Sequence, residues 1–429
     1  MVAREAREMD DALLGAAARV AGDTPDLRAP RVAAPRGSRN DHTRRNNLSA
    51  LLTAVHYRGP LTRAQLTRDT GLNRSTIGGL VAELADLGLV VEDASAETGA
   101  VGRPSLIVRI RREVAAIAFH PDIDGLDSAL VALDGTVLAR RRRAFDEAPT
   151  PALAADAMVE EARALLRRSP VERVVGTAVA VPGLVDADGG TVVHAAHLGW
   201  RREPLGARLA EPLGVPVAVG NDANLGLRAE WSFGAARGAD NVVFLNGSSS
   251  GIGGAALVGG VMLRGGRGYG GEFGHMLVRT PGRECSCGRR GCLETEVSAA
   301  RLAEVAGVST GAVAGGLGEL AGDDAAVARE VDRQAALLGT AIANLECAFD
   351  PDAVLLGGYL GDLYECRAEE IGRVVQTEAF RPDAEGALLG AAALGRDLRV
   401  IGAAERAFAP LLLDPAGTPL VPAGAVAAD

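Results

Sequence analysis

Three cysteines and a histidine stand close together in this chain, in Gly271-Glu272-Phe273-Gly274-His275 and Cys285-Ser-Cys287-Gly-Arg-Arg-Gly-Cys292-Leu-Glu294. Three thiolates and one imidazole are the donor set of a tetrahedral zinc site whose four positions are all filled by protein. Such a closed site holds structure and leaves no position for a metal-bound water. Gly288 and Gly291 supply the sharp turns that bring Cys285, Cys287 and Cys292 to one ion. Glu272 and Glu294 flank the cluster as hard oxygen donors, superfluous once four ligands are present, and read instead as acceptors for ligand hydroxyls. Buried free cysteines acting as small apolar residues are the plainer alternative. That alternative leaves the coincidence of histidine, C-x-C-x4-C spacing and glycines unexplained.

A second group stands at the end of an apolar run. Val215 to Val219 reads as a strand and leads directly into Asn221-Asp222-Ala223-Asn224. Open α/β sheets bind ligands at the carboxyl ends of their strands, where Asp222 can accept a hydroxyl proton as a general base. Helix capping by Asn221 or Asp222 explains the same spacing equally well. Asn246 to Gly254 follows another apolar run and can present backbone N–H groups to an anion, although hairpins use such Gly/Ser turns too.

The strands that must carry these groups are visible as apolar runs. They are Val114–Phe119, Ala129–Leu133 before the hairpin signal Asp134-Gly135, Val174–Val181 ending at Pro182-Gly-Leu-Val-Asp186, Val242–Leu245 and Val354–Gly358. Ala341 to Phe349 is helical in pattern.

Charge divides the 429-residue chain, whose net charge is −10. Arg31 to Arg112 holds 13 arginines against 7 acids, and the remainder after it 28 against 42. A basic front on an acidic body suits one part to phosphates and the other not. Within the front, Leu48, Leu51, Leu52 and Val55 form one helical stripe. Thr62 and Gln65 make a capping box, Gly71 breaks that second helix, and Asn73 caps a third carrying Ile77, Leu80, Val81 and Leu84. This is a helix-turn-helix arrangement, which places Asn73, Arg74, Ser75 and Thr76 against DNA. Two short strands around Gly102-Arg103-Pro104-Ser105 make a wing whose Arg103 can reach phosphate or minor groove. Gly78-Gly79 within the third helix costs roughly 1 kcal/mol per glycine.

The length allows two or three domains. With five cysteines, three of them clustered, and no long apolar run, the chain reads as a protein of the reducing cytoplasm without membrane spans.

Together these residues resemble the ROK family (repressors, open reading frames and sugar kinases), from about Arg45 to about Ala409. The most specific part is Gly271–His275 through Cys285–Glu294, supported by Pro182–Asp186, Leu198-Gly-Trp200, Asn221–Asn224 and Gly357-Gly358. The front is similar to that of the family's repressor branch. The resemblance implies an α/β fold: an N-terminal winged helix-turn-helix, then a two-lobed sugar-kinase/actin-like (ribonuclease H-like) body with a cleft. The implied organisation is a disordered tail over 1–43, the DNA-binding domain over 44–112 and a small lobe over 113–235 completed by a helix near 400–415. A large lobe with the zinc site and a dimerisation surface follows over 236–399, and a tail over 416–429. The resemblance also implies sugar contacts by Asn221, Asp222, Glu272, His275 and Glu294, and structural Zn²⁺ on His275, Cys285, Cys287 and Cys292.

The family's kinases carry an Asp-x-Gly-Gly-Thr-Lys type loop for ATP phosphates; here that place reads His120-Pro-Asp-Ile-Asp-Gly-Leu-Asp127-Ser128, and the chain contains no lysine. Asp122, Asp124 and Asp127 are expected to oppose phosphates there, and phosphoryl transfer needs the reverse. His197 stands where the family usually has Asn. The reading is a regulator, most simply a repressor, that binds operator DNA as a homodimer or dimer of dimers. A sugar or sugar phosphate is its effector. The alternative is a sugar kinase with an atypical phosphate loop.

Overall fold

The computed structural model describes residues 39–94, 106–248, 250–313, 316–380 and 386–428. Helix α1 (Arg39–Arg58) buries the stripe of Leu48, Leu51, Leu52 and Val55. It begins at Arg39, so residues 39–43 of the expected tail belong to the helix. β1 (Leu61–Thr62) runs into α2 (Arg63–Thr70), opened by the capping box: the Gln65 N–H donates to Thr62 Oγ1 and the Thr62 N–H to Gln65 Oε1. Gly71, at φ 69°, closes α2. Asn73 Oδ1 accepts the Thr76 N–H and opens α3 (Arg74–Asp86), whose Ile77, Leu80, Val81 and Leu84 join the α1 stripe in one core. β2 (Val90–Ala94) and β3 (Leu106–Ile110) pair antiparallel, with β1 on the other edge of β3. Arg103, between β2 and β3, lies outside the described residues.

The first lobe begins with an antiparallel meander of β4 (Val114–Asp122), β5 (Gly125–Ala132) and β6 (Val137–Ala144), turning at Asp134-Gly135 between β5 and β6. Helix α4 (Pro151–Leu166) crosses to β7 (Arg173–Val181), which is parallel to β4. A small sheet of β8 (Leu184–Val185), β9 (Val192–Ala195) and β10 (Trp200–Glu203) follows, with Trp200 buried and its indole donating to Pro149 O. After α5 (Leu205–Leu213), β11 (Val217–Asn221) pairs parallel with β7 and turns directly into α6 (Asp222–Phe233). The strand order is β11-β7-β4-β5-β6.

The second lobe is built on β12 (Val242–Ser248), β13 (Gly251–Val258), β14 (Val261–Met262), β15 (Ala353–Gly358) and β16 (Leu388–Ala391), in the order β14-β13-β12-β15-β16. Between β14 and β15 lie α7 (Leu293–Glu296), α8 (Ala299–Ala306), α9 (Thr310–Val313), α10 (Leu317–Asp323) and α11 (Ala325–Phe349); α12 (Tyr359–Glu378) links β15 to β16. Helix α13 (Leu398–Leu413) then returns to the first lobe, close to the expected helix at 400–415.

Phe408, Leu411 and Leu412 of α13 belong to the same buried cluster as Leu48 and Leu52 of α1 and Val114 and Ala116 of β4. The front module and the first lobe therefore share a core. The expected tail over 416–429 instead closes this lobe: β17 (Val421–Pro422) pairs antiparallel with β7, and Ala423 and Val426 of α14 (Ala423–Ala427) are buried. Among the described residues no helix is long and apolar enough to cross a membrane.

Candidate functional site

Asp222 is the first residue of α6, at the carboxyl end of β11, and is buried. Asn221 is the cap of that helix: its Oδ1 accepts the Asn224 N–H at 3.0 Å, and its Nδ2 donates to Gly183 O at 3.1 Å. Capping and a ligand-facing carboxylate thus coexist at this turn, with Asn221 as the cap and Asp222 left free of that task. Burial pushes the Asp222 carboxyl up to about 6, against the pull of Arg399, whose Nε lies 3.9 Å away; Asp122 and Glu272 add repulsion. Arg399, at the start of α13, escapes a reading of sequence because nothing local links it to Asp222.

The second lobe brings its groups to the same place through the glycines of β13. A Cβ on Gly253 would meet Ala223 at 2.9 Å, and one on Gly251 would lie 2.5 Å from Glu294 Oε2. Gly251 and Gly253, two positions apart on one face of β13, have no side chains there and so let α6 and Glu294 approach the strand together. His275 lies 3.3 Å from Glu294 Oε1 through Nδ1 and 3.9 Å from Glu272 Oε2 through Nε2. Burial raises the Glu272 carboxyl, with His275 opposing and Glu294 adding.

The donor atoms of His275, Cys285, Cys287 and Cys292 all lie within 4.8 Å of one another. Cys285 Sγ is 3.6 Å from His275 Nδ1 and Cys287 Sγ 3.7 Å from Cys292 Sγ. A tetrahedron with Zn–S near 2.3 Å has edges of about 3.8 Å, so donor type and spacing both fit zinc. Gly291, at φ 84°, sits where a Cβ would meet Arg279 O at 1.8 Å, so only glycine closes this loop.

The place of the phosphate loop is a tight β4–β5 hairpin in which Asp122 pairs with Gly125. Of the three acids expected to oppose phosphates there, Asp124 and Asp127 are matched by β6. Arg142 binds Asp124 at 2.9 Å and Asp127 at 3.0 Å, and Arg140 reaches Asp127 at 3.5 Å. Arg140 is also paired with Asp397. Asp124 and Asp127 are therefore matched within the hairpin sheet, and these guanidiniums are already engaged. His120 is buried, bonded through Nδ1 to Ala180 O at 2.8 Å and held well below its usual range by burial and then by Arg399.

At the front, Asn73, Arg74 and Ser75 are exposed and Thr76 half-buried at the start of α3. Asn73 is the cap and also accepts the Ser75 hydroxyl at 2.7 Å, which leaves Arg74 as the unpaired cation of this turn among the described residues.

One buried network lacks any counterpart in the sequence reading. Glu405 of α13 accepts from Tyr57 OH of α1 at 3.1 Å and from Ser232 Oγ of α6 at 2.9 Å, and it pairs with His56 Nε2 at 2.8 Å. Arg228 of α6 donates to Tyr57 OH at 2.6 Å. A lone glutamate inside the apolar run of α13 is the one signal that points to such a partnership.

Two lobes around a cleft, with a carboxylate at a strand-to-helix turn and a Cys₃His loop opposite, define a body of the sugar-kinase type. Residues 124–408 match the ROK family model, and the chain belongs to that family. The xylose repressor of Bacillus subtilis (strain 168) is 31% identical over 254 residues, covering 59% of this chain and 65% of the repressor, just under two-thirds of its length. A ROK family glucokinase from Streptomyces griseus, in complex with glucose and AMPPNP, superposes with TM-score 0.61 at 27% identity over 68% of this chain and 98% of its own. A ROK family transcriptional regulator, a homologue of the E. coli MLC protein, superposes with TM-score 0.70 over 87% of this chain and 98% of its own; at 24% identity this shows a common fold.

Proposed function

We propose that this chain is a sugar-responsive transcriptional repressor. Its front module acts as a winged helix-turn-helix on operator DNA, and its body binds a sugar or sugar derivative as effector. The similarity to a xylose repressor supports the reading, as does a structural likeness that spans 87% of the chain with a regulator against 68% with a glucokinase.

One observation carries it. Helices α6 and α13 each start beside the cleft, at Asp222 and Arg399, and each ends its reach at the front module, through Arg228 on Tyr57 and Glu405 on His56. Arg399 and Glu405 are six residues apart on one helix, about 9 Å. A sugar that draws on Asp222 shifts its balance with Arg399 and so acts on a rigid rod that grips α1. Paired front modules in a dimer would read two half-sites, and their spacing is what such a shift alters.

In this reading His275, Cys285, Cys287 and Cys292 hold a structural zinc ion, which when bound cross-links the loop that presents Glu272 and Glu294. His275 offers Nδ1 to that cluster and Nε2 to the cleft, and Asn221, Asp222, Glu272 and Glu294 supply the remaining polar contacts for hydroxyls. The test is anisotropy of labelled upstream DNA titrated with the protein at several salt concentrations, with and without monosaccharides. Specific binding released by one sugar is expected; affinity indifferent to every sugar removes the sensing role.

The kinase reading keeps one observation in its favour: a buried carboxyl at about 6 suits a general base. Against it stand the absent lysine and the engaged Arg140 and Arg142. No ATP-dependent sugar phosphorylation is expected. Turnover abolished by Asp222→Asn would reverse this conclusion.

A further inference from the structure

A cavity of about 710 Å³ lies outside the cleft described above, at the junction of the front module and both lobes. Asn47, Ala50 and Thr53 of α1 form one wall, Arg406 and Ala409 of α13 another, and Met262 to Gly268 a third. Its size is that of a small-molecule site. Of the cleft's polar groups only Asn221 reaches it; Asp222, Glu272, His275 and Glu294 do not line it.

Most charges on its surface are already matched. Asp186 accepts the N–H groups of Gly190 and Thr191, and Glu405 and Arg228 are held in the network with Tyr57. Arg264 and Arg406 are different. Neither has a carboxylate or hydrogen-bond acceptor among the described residues; burial lowers the pKa of Arg406, and the like charge of Arg264 adds to it. Arg406 is half-buried, its guanidinium lying against Gly189 so closely that a Cβ there would meet Nη2 at 2.9 Å. Arg264 is exposed to water, whereas Arg406 is partly withdrawn from it beside a like charge, so Arg406 is the guanidinium that gains most from an anion in this cavity. A second, separate feature is Asn224, which lines the same cavity and whose Oδ1 is buried without a donor. An anion partner and a hydroxyl donor are therefore both wanted in one small space.

We propose that this cavity binds an anionic monosaccharide, phosphorylated or carboxylated, with Arg264 and Arg406 on the anion and Asn224 on a hydroxyl. The ligand bridges α1 to both lobes, so it binds the docked arrangement of the front module and holds it there. This second site is separate from the cleft, and the proposal stands whether the cleft senses a sugar or not.

The experiment is calorimetric titration of the full-length protein with glucose 6-phosphate and with gluconate, using glucose and inorganic phosphate as controls. Saturable binding of at least one sugar anion is expected, tenfold or more weaker in Arg264→Gln and in Arg406→Gln, partly restored by Arg406→Lys, and unaffected by Asp222→Asn. The arginine variants relieve like-charge repulsion, so their melting temperatures should equal or exceed that of the parent, which separates lost binding from lost folding. Binding by neither anion overturns the proposal. So does binding lost in Asp222→Asn but kept in the arginine variants, which would place the anion in the cleft. Equal binding of inorganic phosphate alone would overturn the role of Asn224.

Discussion

His56 and Glu405 meet across 349 positions of sequence: Nε2 of the imidazole lies 2.8 Å from Oε1 of the carboxylate, and both side chains are closed to water. The other ring nitrogen of His56 is bonded to Leu133 O of the first lobe. Burial pushes the Glu405 carboxyl up, yet His56, Arg228 and Ser232 outweigh it and hold the group down at about 2. A depressed carboxyl contributes stability that is complete above its ordinary value near 4.5 and is lost as pH falls toward about 2.

Glu405→Ala removes the shared acceptor of His56, Tyr57 and Ser232 while leaving the fully buried His56 and the half-buried Arg228 beside the gap. Breaking such a buried pair from one side costs about 3–5 kcal/mol. Urea unfolding should register that loss, and trypsin should cut the front module of the variant faster than that of the parent. A loss below about 1 kcal/mol would mean that packing alone, through Leu48, Leu52 and Phe408, holds the two parts together.

Asp222 carries the opposite sign. Its carboxyl is raised to about 6, so its contribution to stability is present below the ordinary value of 3.8 and is lost as pH rises through about 6. Above pH 6 the free protein carries an ionised, buried acid that a sugar hydroxyl can satisfy. Effector affinity should therefore strengthen as pH rises through about 6, and weaken by about tenfold per unit well below it. Asp222→Asn should bind weakly with a flat pH profile and melt higher than the parent at pH 7. A pH-dependent profile surviving in Asp222→Asn would assign the titration to another group.

Removal of zinc tests the link between the Cys₃His loop and the cleft. His275 faces both, with Nδ1 3.6 Å from Cys285 Sγ and Nε2 3.9 Å from Glu272 Oε2. Binding free energy at a closed site is folding free energy for the loop. Metal-free protein, verified by elemental analysis, should melt lower and bind its sugar more weakly than the zinc-loaded form, as should Cys292→Ser. Unchanged sugar affinity on verified metal-free protein would show that the loop holds Glu272 and Glu294 without the ion.

Local signals were legible and distant ones were not. The stripe of Leu48, Leu51, Leu52 and Val55, the Thr62–Gln65 box and the Asn73 cap are written within a turn or two of helix, and the structure has each of them. The Cys₃His cluster is equally local, since its four donors lie between His275 and Cys292 and within 4.8 Å of one another. By contrast Arg399 beside Asp222, and Glu405 beside His56, are created only when α13 returns to the first lobe. The partners of two hairpin acids are hidden for the same reason: the arginines that match Asp124 and Asp127 belong to the next strand and face them only by register. Residues 416–428 lack periodicity because they need none; two residues of β17 suffice to close on β7.

Arg74 and Gly79 give the sharpest test of the DNA-binding face. Arg74 opens α3, exposed and unpaired among the described residues. Arg74→Ala should weaken binding to operator and unrelated DNA alike and reduce the salt slope by about 1, as expected for one lost phosphate contact. Gly79 follows Ser75 by four residues and so shares its face. A Cβ at Gly79 meets nothing within 4 Å, so Gly79→Ala should stabilise the front module by about 1 kcal/mol. If DNA lies against the proposed face of α3, the added methyl stands on the side that approaches the duplex, so operator affinity should fall even as urea resistance rises. A stabilised variant with undiminished affinity would place the DNA against a different face of α3.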